Sequence, residues 1–105
     1  MSQKKRQVRE VFRKVVLGRD GHRCRKCGAE DVPLDAHHIV NRNELPNGGY
    51  THKNGITLCN VPGGCYEKAE AFHKTGMAEP GYSPDDLYAL IGSSREMAER
   101  ASQKT

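Results

Sequence analysis

The sequence predicts a small α+β domain in which two short strands lie between amphipathic helices. The chain has 105 residues, enough for a single domain. Helical periodicity marks both ends, while the middle holds short apolar runs separated by Asn, Gly and Pro. Four cysteines fall in two pairs, Cys24 with Cys27 and Cys59 with Cys65. A domain of this size buries a modest core and often needs a metal or disulfide to help it. Here hydrophobic residues make up only 35% of the chain and tryptophan is absent, which strengthens that need.

Val8, Val11, Phe12, Val15 and Val16 follow the i, i+3, i+4, i+7, i+8 spacing of an amphipathic helix, predicted to dock this stripe on the core and to stop at Gly18. Pro33 to Val40 reads as the first strand, with Leu34, Ala36 and Ile39 as its apolar members. Residues 43–54 are rich in Asn and Gly and read as a loop; Gly55 to Cys59 reads as the second strand. A short helix is predicted over Tyr66 to Lys74, with Ala69, Phe72 and Tyr66 inward. After a Gly/Pro linker, Ser83-Pro84-Asp85-Asp86 opens another helix, with serine at the N-cap, proline at the first helical position and acids in the first turn. Its apolar side is Leu87, Tyr88, Leu90 and Ile91. Ser93 with Glu96 matches a capping box for a last helix toward Gln103, which has few apolar residues to hold it.

The net charge of +4 is unevenly spread. Residues 1–27 carry ten lysines and arginines against Glu10 and Asp20, and the remainder is net acidic. Lys4, Lys5, Arg6, Arg9, Arg13 and Lys14 lie largely off the apolar stripe of the first helix. Such a basic face suits a polyanion, most simply nucleic acid held through its phosphates; a solvated helix face is the plain alternative. No stretch approaches the roughly 20 apolar residues that span a bilayer, so no membrane partner is expected. No apolar segment follows the basic N-terminus, so a secretory signal is not expected and the cytoplasm is the expected compartment.

Disulfides are rare in that compartment, which favours metal for the cysteines. Cys24-x2-Cys27 followed by Gly28, and Cys59-x5-Cys65, offer four thiolates in two clusters, as tetrahedral zinc requires. The long second spacing is accommodated if Val61-Pro62-Gly63-Gly64 bulges outward. A redox CxxC is the competing reading, but no βαβ pattern places Cys24 at a helix N-terminus. A structural Zn²⁺ would contribute folding energy directly.

Between the pairs lies Asp35-Ala36-His37-His38-Ile39-Val40. Neighbours on a strand point to opposite faces, so one histidine can hold a metal while the other faces an attacking water. The ordered set comprises Arg19-Asp20, Cys24/Cys27, Ala36-His37-His38-Ile39, Asn54-Gly55-Ile56-Thr57-Leu58-Cys59, and Cys65 opening a helix. This set resembles the HNH endonuclease family, the ββα-metal nucleases, over about Arg19 to Lys74. The resemblance implies two antiparallel strands and a helix around one divalent ion, and cleavage of DNA phosphodiesters to a 5′-phosphate and a 3′-hydroxyl. It divides the chain into a basic helix at 1–18, a ββα-metal core with zinc knuckles at 19–75, and C-terminal helices at 83–103, within one domain. The Asn-Gly-Gly-Tyr stretch and the Ser-Pro-Asp-Asp-Leu-Tyr segment look phage-like, which brings phage packaging proteins in as expected partners.

Carried over by residue, the resemblance makes His37 a ligand of the catalytic ion (Mg²⁺, Mn²⁺ or Ni²⁺) and His38 the general base, with an imidazole near its ordinary pKa. Asn54 becomes the brace that orients the histidines, and Arg42 is placed to clamp a phosphate oxygen. The family's last histidine follows its final cysteine, where this chain has Tyr66. Two residues could replace it. His73 has the matching chemistry but lies roughly 10 Å along the helix axis from Tyr66. Glu70 is one turn from Tyr66 and offers a hard oxygen ligand; His73 is slightly preferred. Asp35 shares the face of His37, where it either fixes the tautomer of that ring or is a surface turn acid, whereas His22 and His52 are expected to bind no metal. The alternative to a nuclease is a non-catalytic zinc module that binds nucleic acid or protein, for which Tyr66 is the main support.

Overall fold

The computed structural model describes residues 3–104, with side chains from residue 5 onward. Helix α1 spans Gln3–Arg19, strands β1 and β2 span Leu34–His38 and Gly55–Cys59, and helices α2, α3 and α4 span Cys65–Thr75, Pro84–Leu90 and Arg95–Gln103. The strands form an antiparallel pair in which Leu34 faces Cys59, His37 faces Ile56 and His38 faces Gly55. The described residues therefore form a mixed α+β fold of four helices and a two-stranded sheet. None of these helices is long and apolar enough to cross a membrane.

A two-stranded sheet cannot bury itself, so both faces are covered. Helix α1 lies on β2 at Gly55, where a Cβ atom would stand 2.5 Å from Val16 Cγ2 and 2.7 Å from Phe12 Cζ. Only glycine permits this approach. Helix α2 covers the other side with Ala69, and Ile39, Val40, Leu45, Ile56, Leu58, Leu87, Tyr88 and Ala98 complete the core.

The valine stripe of α1 departs from expectation. Phe12, Val16 and Leu17 are buried, but Val8, Val11 and Val15 are 40–59% exposed. The sheet is too narrow to meet the whole stripe, so these valines face an open groove beside Met97 and Ala101 of α4. The helix also runs through Gly18 to Arg19, because the left-handed stop is supplied by Gly21 (φ 68°). Strand β1 is shorter at both ends than expected, although Ile39 N still donates to Asn54 O at 2.9 Å. Ser83 caps α3 with a full capping box, Asp86 N donating to its hydroxyl at 3.1 Å. The α4 cap is Ser94 rather than Ser93, whose hydroxyl instead donates to Lys53 O at 2.7 Å. Leu90 is partly exposed, and the real anchors of the last helix are the buried Ala98 and Ser102.

One ionic cluster ties α1, the first knuckle and β2 together. The Asp20 side chain is fully buried and accepts from Arg19 Nε and Arg25, each at 2.8 Å, and from Thr57 N at 2.9 Å. Burial alone would raise the pKa of its carboxyl, but Arg19 and the Thr57 amide outweigh burial and hold it below the ordinary carboxylate value. Arg19 also donates to His52 O and Gly55 O, each at 2.7 Å. Asp20→Asn should therefore destabilise the fold by about 3 kcal/mol, the low end for breaking a buried ion pair because both guanidiniums reach solvent. Urea unfolding measures this, and an unchanged midpoint would show that the cluster is not needed.

Candidate metal centres

Two groups of ligand-type side chains converge, one at the end of β2 and one between β1 and α2. In the first, the sulfurs of Cys24, Cys27, Cys59 and Cys65 lie within 4.8 Å of one another. No disulfide joins them. The Cys27 and Cys59 sulfurs are 3.7 Å apart, close to the edge of about 3.8 Å expected for a tetrahedron with 2.3 Å metal–sulfur bonds. In each pair the amide of the second cysteine donates to the sulfur of the first, Cys27 N to Cys24 at 3.5 Å and Cys65 N to Cys59 at 3.4 Å. The five-residue spacer of the second pair closes through Gly64 N to Val61 O at 2.8 Å, so the extra residues bulge away.

Burial raises the Cys24 thiol, but backbone N–H groups of Cys27, Cys59 and Lys26 outweigh it and bring the pKa to about 7. Burial dominates at Cys65 and pushes its pKa up to about 12, even though the Tyr82 hydroxyl donates to its sulfur at 3.3 Å. Protons shared among crowded thiols are what a soft cation would displace, so the four cysteines could hold a metal such as zinc. One tightly held metal ion per chain should be found by elemental analysis of purified protein. Cys24→Ser should lose that ion and unfold in the same titration, whereas a metal-free wild type with the same melting temperature would remove metal from the fold.

The second group joins β1 to α2. His37, Glu70 and His73 present ligand atoms within 4.8 Å of one another. His37 Nδ1 lies 2.8 Å from Glu70 Oε2, and the His37 and His73 rings stack at 5.2 Å. The expected choice between Glu70 and His73 does not arise, because both reach His37. They are three residues apart on one helical face, and that face is turned toward β1. His73 Nε2 also lies 2.9 Å from the carbonyl oxygen of His38.

Burial lowers the pKa of His37 despite the raising effect of Glu70, so the neutral ring donates to the carboxylate. The His37 hydrogen bond holds Glu70 below its ordinary value. Two imidazoles and a carboxylate form a donor set suited to a divalent cation of intermediate hardness. No family model matches the chain, nor does any curated protein or solved structure.

An open cleft of about 480 Å³ lies over this second group, lined by Arg9, Phe12, Arg13, Asp35, Ala36, His38, Asn41, Arg42, Tyr50, Tyr66, Glu70 and His73. His38 faces the opposite way from His37, as strand alternation requires. Its ring is stacked on Phe12 at 4.4 Å and meets Tyr50 edge-on at 4.8 Å. Burial, then the nearby Arg42, lower its pKa to about 4, so it does not keep the ordinary imidazole value expected of it. Its Nε2 is buried with no hydrogen-bond partner among the described residues.

Asn54 is buried and holds the loop before β2, its amide paired with Val40 N and Val40 O, each at 3.0 Å. Arg42 is exposed at the cleft edge and donates to the Tyr50 hydroxyl at 2.9 Å. Asp35 does not reach His37. It accepts from Asn60 Nδ2 at 2.6 Å and lies 3.9 Å from Arg13, because Glu70 already occupies the His37 ring nitrogen. His22 and His52 are exposed and belong to neither metal group.

Of the basic residues expected to contact DNA, Arg9 and Arg13 line the cleft, and Lys5 lines its extension past Tyr50. Arg13 also donates to Leu34 O at 3.0 Å. Arg6 and Lys14 are exposed elsewhere on α1, and the side chain of Lys4 lies outside the described residues. Tyr50 and Tyr66 are cleft residues, and the sequence assigned Tyr50 no role. For Tyr50 the available signal was the Asn-Gly-Gly turn before it.

Proposed function

We propose that the protein is a metal-dependent endonuclease of the HNH type that hydrolyses phosphodiester bonds of DNA. The observation that carries this reading is the convergence of His37, Glu70 and His73 below a cleft walled by His38 and Arg42. The two strands and α2, which bear these residues, follow one another in the order of a ββα-metal core. The separate four-cysteine group fits a structural zinc, which leaves the histidine–glutamate group for chemistry.

His37, with Glu70 and His73, would hold the divalent ion, which supplies positive charge for the phosphate oxygens. The remaining work falls to the chain's own residues. His38, neutral at physiological pH, accepts a proton from water as the nucleophile forms. Phe12 and Tyr50 fix the plane of its ring, so its orientation is set before substrate arrives. Arg42 meets a phosphate oxygen at the rim. Arg9, Arg13 and Lys5 extend the positive surface along the strand's path, a contact with backbone rather than with bases.

A non-catalytic zinc module remains the second reading, favoured by Tyr66 at the position where the family has its last histidine. Plasmid relaxation separates the two. Supercoiled DNA should be nicked in Mg²⁺, Mn²⁺ or Ni²⁺, and His38→Ala should cost about a hundredfold or more in rate while bound zinc and melting temperature stay unchanged. Glu70→Ala should lower the rate and raise the divalent-ion concentration needed for half-maximal activity. Full activity in His38→Ala would dismiss the base assignment; no cleavage by wild type in any of the three ions would favour the binding module.

A further inference from the structure

The chain has nine arginines, and six of them pair with carboxylates: Arg13, Arg19, Arg23, Arg25, Arg95 and Arg100. Two of the other three, Arg9 on α1 and Arg42 after β1, converge on a single neutral atom. Arg42 donates to the Tyr50 hydroxyl oxygen at 2.9 Å and Arg9 Nε to the same oxygen at 3.4 Å. Neither forms an ion pair among the described residues. Holding two guanidiniums on one uncharged oxygen carries a repulsion that a shared anion would relieve.

The backbone is shaped to make this arrangement. Asn47, Gly48 and Gly49 have φ of 55°, 79° and 65°, three successive left-handed residues. A Cβ atom on Gly48 would stand 2.9 Å from Tyr50 Cε2, so the tyrosine ring lies directly against the turn. The ring's other contacts are Phe12 at 5.6 Å and His38 at 4.8 Å, both edge-on. Three successive left-handed residues, one of them the non-glycine Asn47, thus seat one half-buried tyrosine. Clefts open on both sides of this bridge. The metal-side cleft lies on one side, and on the other an open hollow of about 720 Å³ is lined by Lys5, Val8, Asn41, Asn43 and Gly48. Arg9, Arg42 and Tyr50 line both. Burial raises the Tyr50 phenol, but Arg42 and Arg9 outweigh it and hold the group below its ordinary pKa.

We propose that Arg9 and Arg42, tied together by the Tyr50 hydroxyl, form a second phosphate subsite that takes a backbone phosphate next to the one at the metal-side cleft. Tyr50 is a positioning residue there: its oxygen gathers the two cations, and the phosphate supplies the negative charge they lack. The substrate is then a polynucleotide with consecutive phosphates rather than an isolated diester. This rests on the nuclease reading only for the chemistry of the adjoining cleft.

The test is a double-mutant cycle in DNA binding. The full chain with its structural metal is titrated against a fluorescein-labelled 16-base-pair duplex by fluorescence anisotropy over a series of NaCl concentrations, with no divalent ion added. Arg9→Gln, an exposed helix substitution, should weaken binding and reduce the slope of log Kd against log salt by about one. Tyr50→Phe removes an oxygen and no charge, yet should weaken binding by about fivefold. The double variant should bind more tightly than the product of the two single effects, because part of the hydroxyl's action runs through Arg9 and the rest through Arg42. A merely structural tyrosine would lower the melting temperature, and its effect would multiply with that of Arg9→Gln. Wild-type affinity in Tyr50→Phe, multiplying effects, or no duplex binding by the wild type would each overturn the subsite. A wild type that shows the cycle but cleaves nothing would sink the nuclease reading and leave the subsite standing. A wild type that cleaves while Tyr50→Phe binds normally would do the reverse.

Discussion

The side-chain amide of Asn54 is the constraint on which the working face depends. It is fully buried and uses every hydrogen-bonding position it has. Its oxygen accepts from Val40 N at 3.0 Å and from the Tyr88 hydroxyl at 2.7 Å, and its nitrogen donates to Val40 O at 3.0 Å and Gly49 O at 3.3 Å. The long connection between β1 and β2 buries Ile39, Val40 and Leu45 but holds only single-turn helices, so the rest of it would ordinarily be mobile. Asn54 pins it at its start, at the Gly49 turn and to α3. Arg42 and Tyr50 are carried by that loop, so their positions follow from one buried amide. No other side chain of this size offers two donors and two acceptors without a charge to desolvate.

The remaining framework serves to make a two-stranded sheet stand alone. One side is closed by α1, drawn onto β2 by Gly55 and locked by the Asp20 cluster. The cysteine group gathers the turn after α1, the end of β2 and the start of α2 into one place. Those are the points where a sheet of two five-residue strands would otherwise fray. With the ends secured, β1 can present consecutive histidines to opposite environments: His37 to the buried α2 face, and His38 to the aromatic pair Phe12 and Tyr50.

Legibility in the sequence followed the range of the interaction. Local chemistry could be read directly: the cysteine spacing, the Ser83 cap and the alternation of the two histidines all depend on residues within a few positions of one another. Long-range competition could not. The spacing of Ser93 and Glu96 satisfies a capping box, yet Lys53 O, forty residues away, takes the Ser93 hydroxyl and leaves the cap to Ser94. Asp35 lies on the face of His37, but Asn60 and Arg13 claim it. The valines of α1 fit a helix stripe, but periodicity does not reveal how wide the surface opposite will be. The convergence on Tyr50 was hidden for the same reason, since Arg9 lies forty-one residues before it.

Tyr66 illustrates how position along a helix decides which side chains meet a strand. Positions 66, 70 and 73 recur at i, i+4 and i+7, so all three share the face of α2 that meets β1. Which of them can reach His37 is decided by where the strand crosses that face, not by distance from the last cysteine. In this chain β1 meets α2 at Glu70 and His73, in the second half of the helix. The Tyr66 ring meets His37 edge-on at 5.8 Å and walls the cleft, while Glu70 and His73 supply the polar atoms below it. Placing a carboxylate among the imidazoles adds a negative charge and a hard oxygen to the donor set. A cation held there would meet a harder donor set than histidine alone offers. The same carboxylate orients the His37 ring through the 2.8 Å hydrogen bond for which Asp35 was one candidate. Glu70 thus does the work of two residues, which leaves Asp35 free to join the loop at Asn60 to the strand.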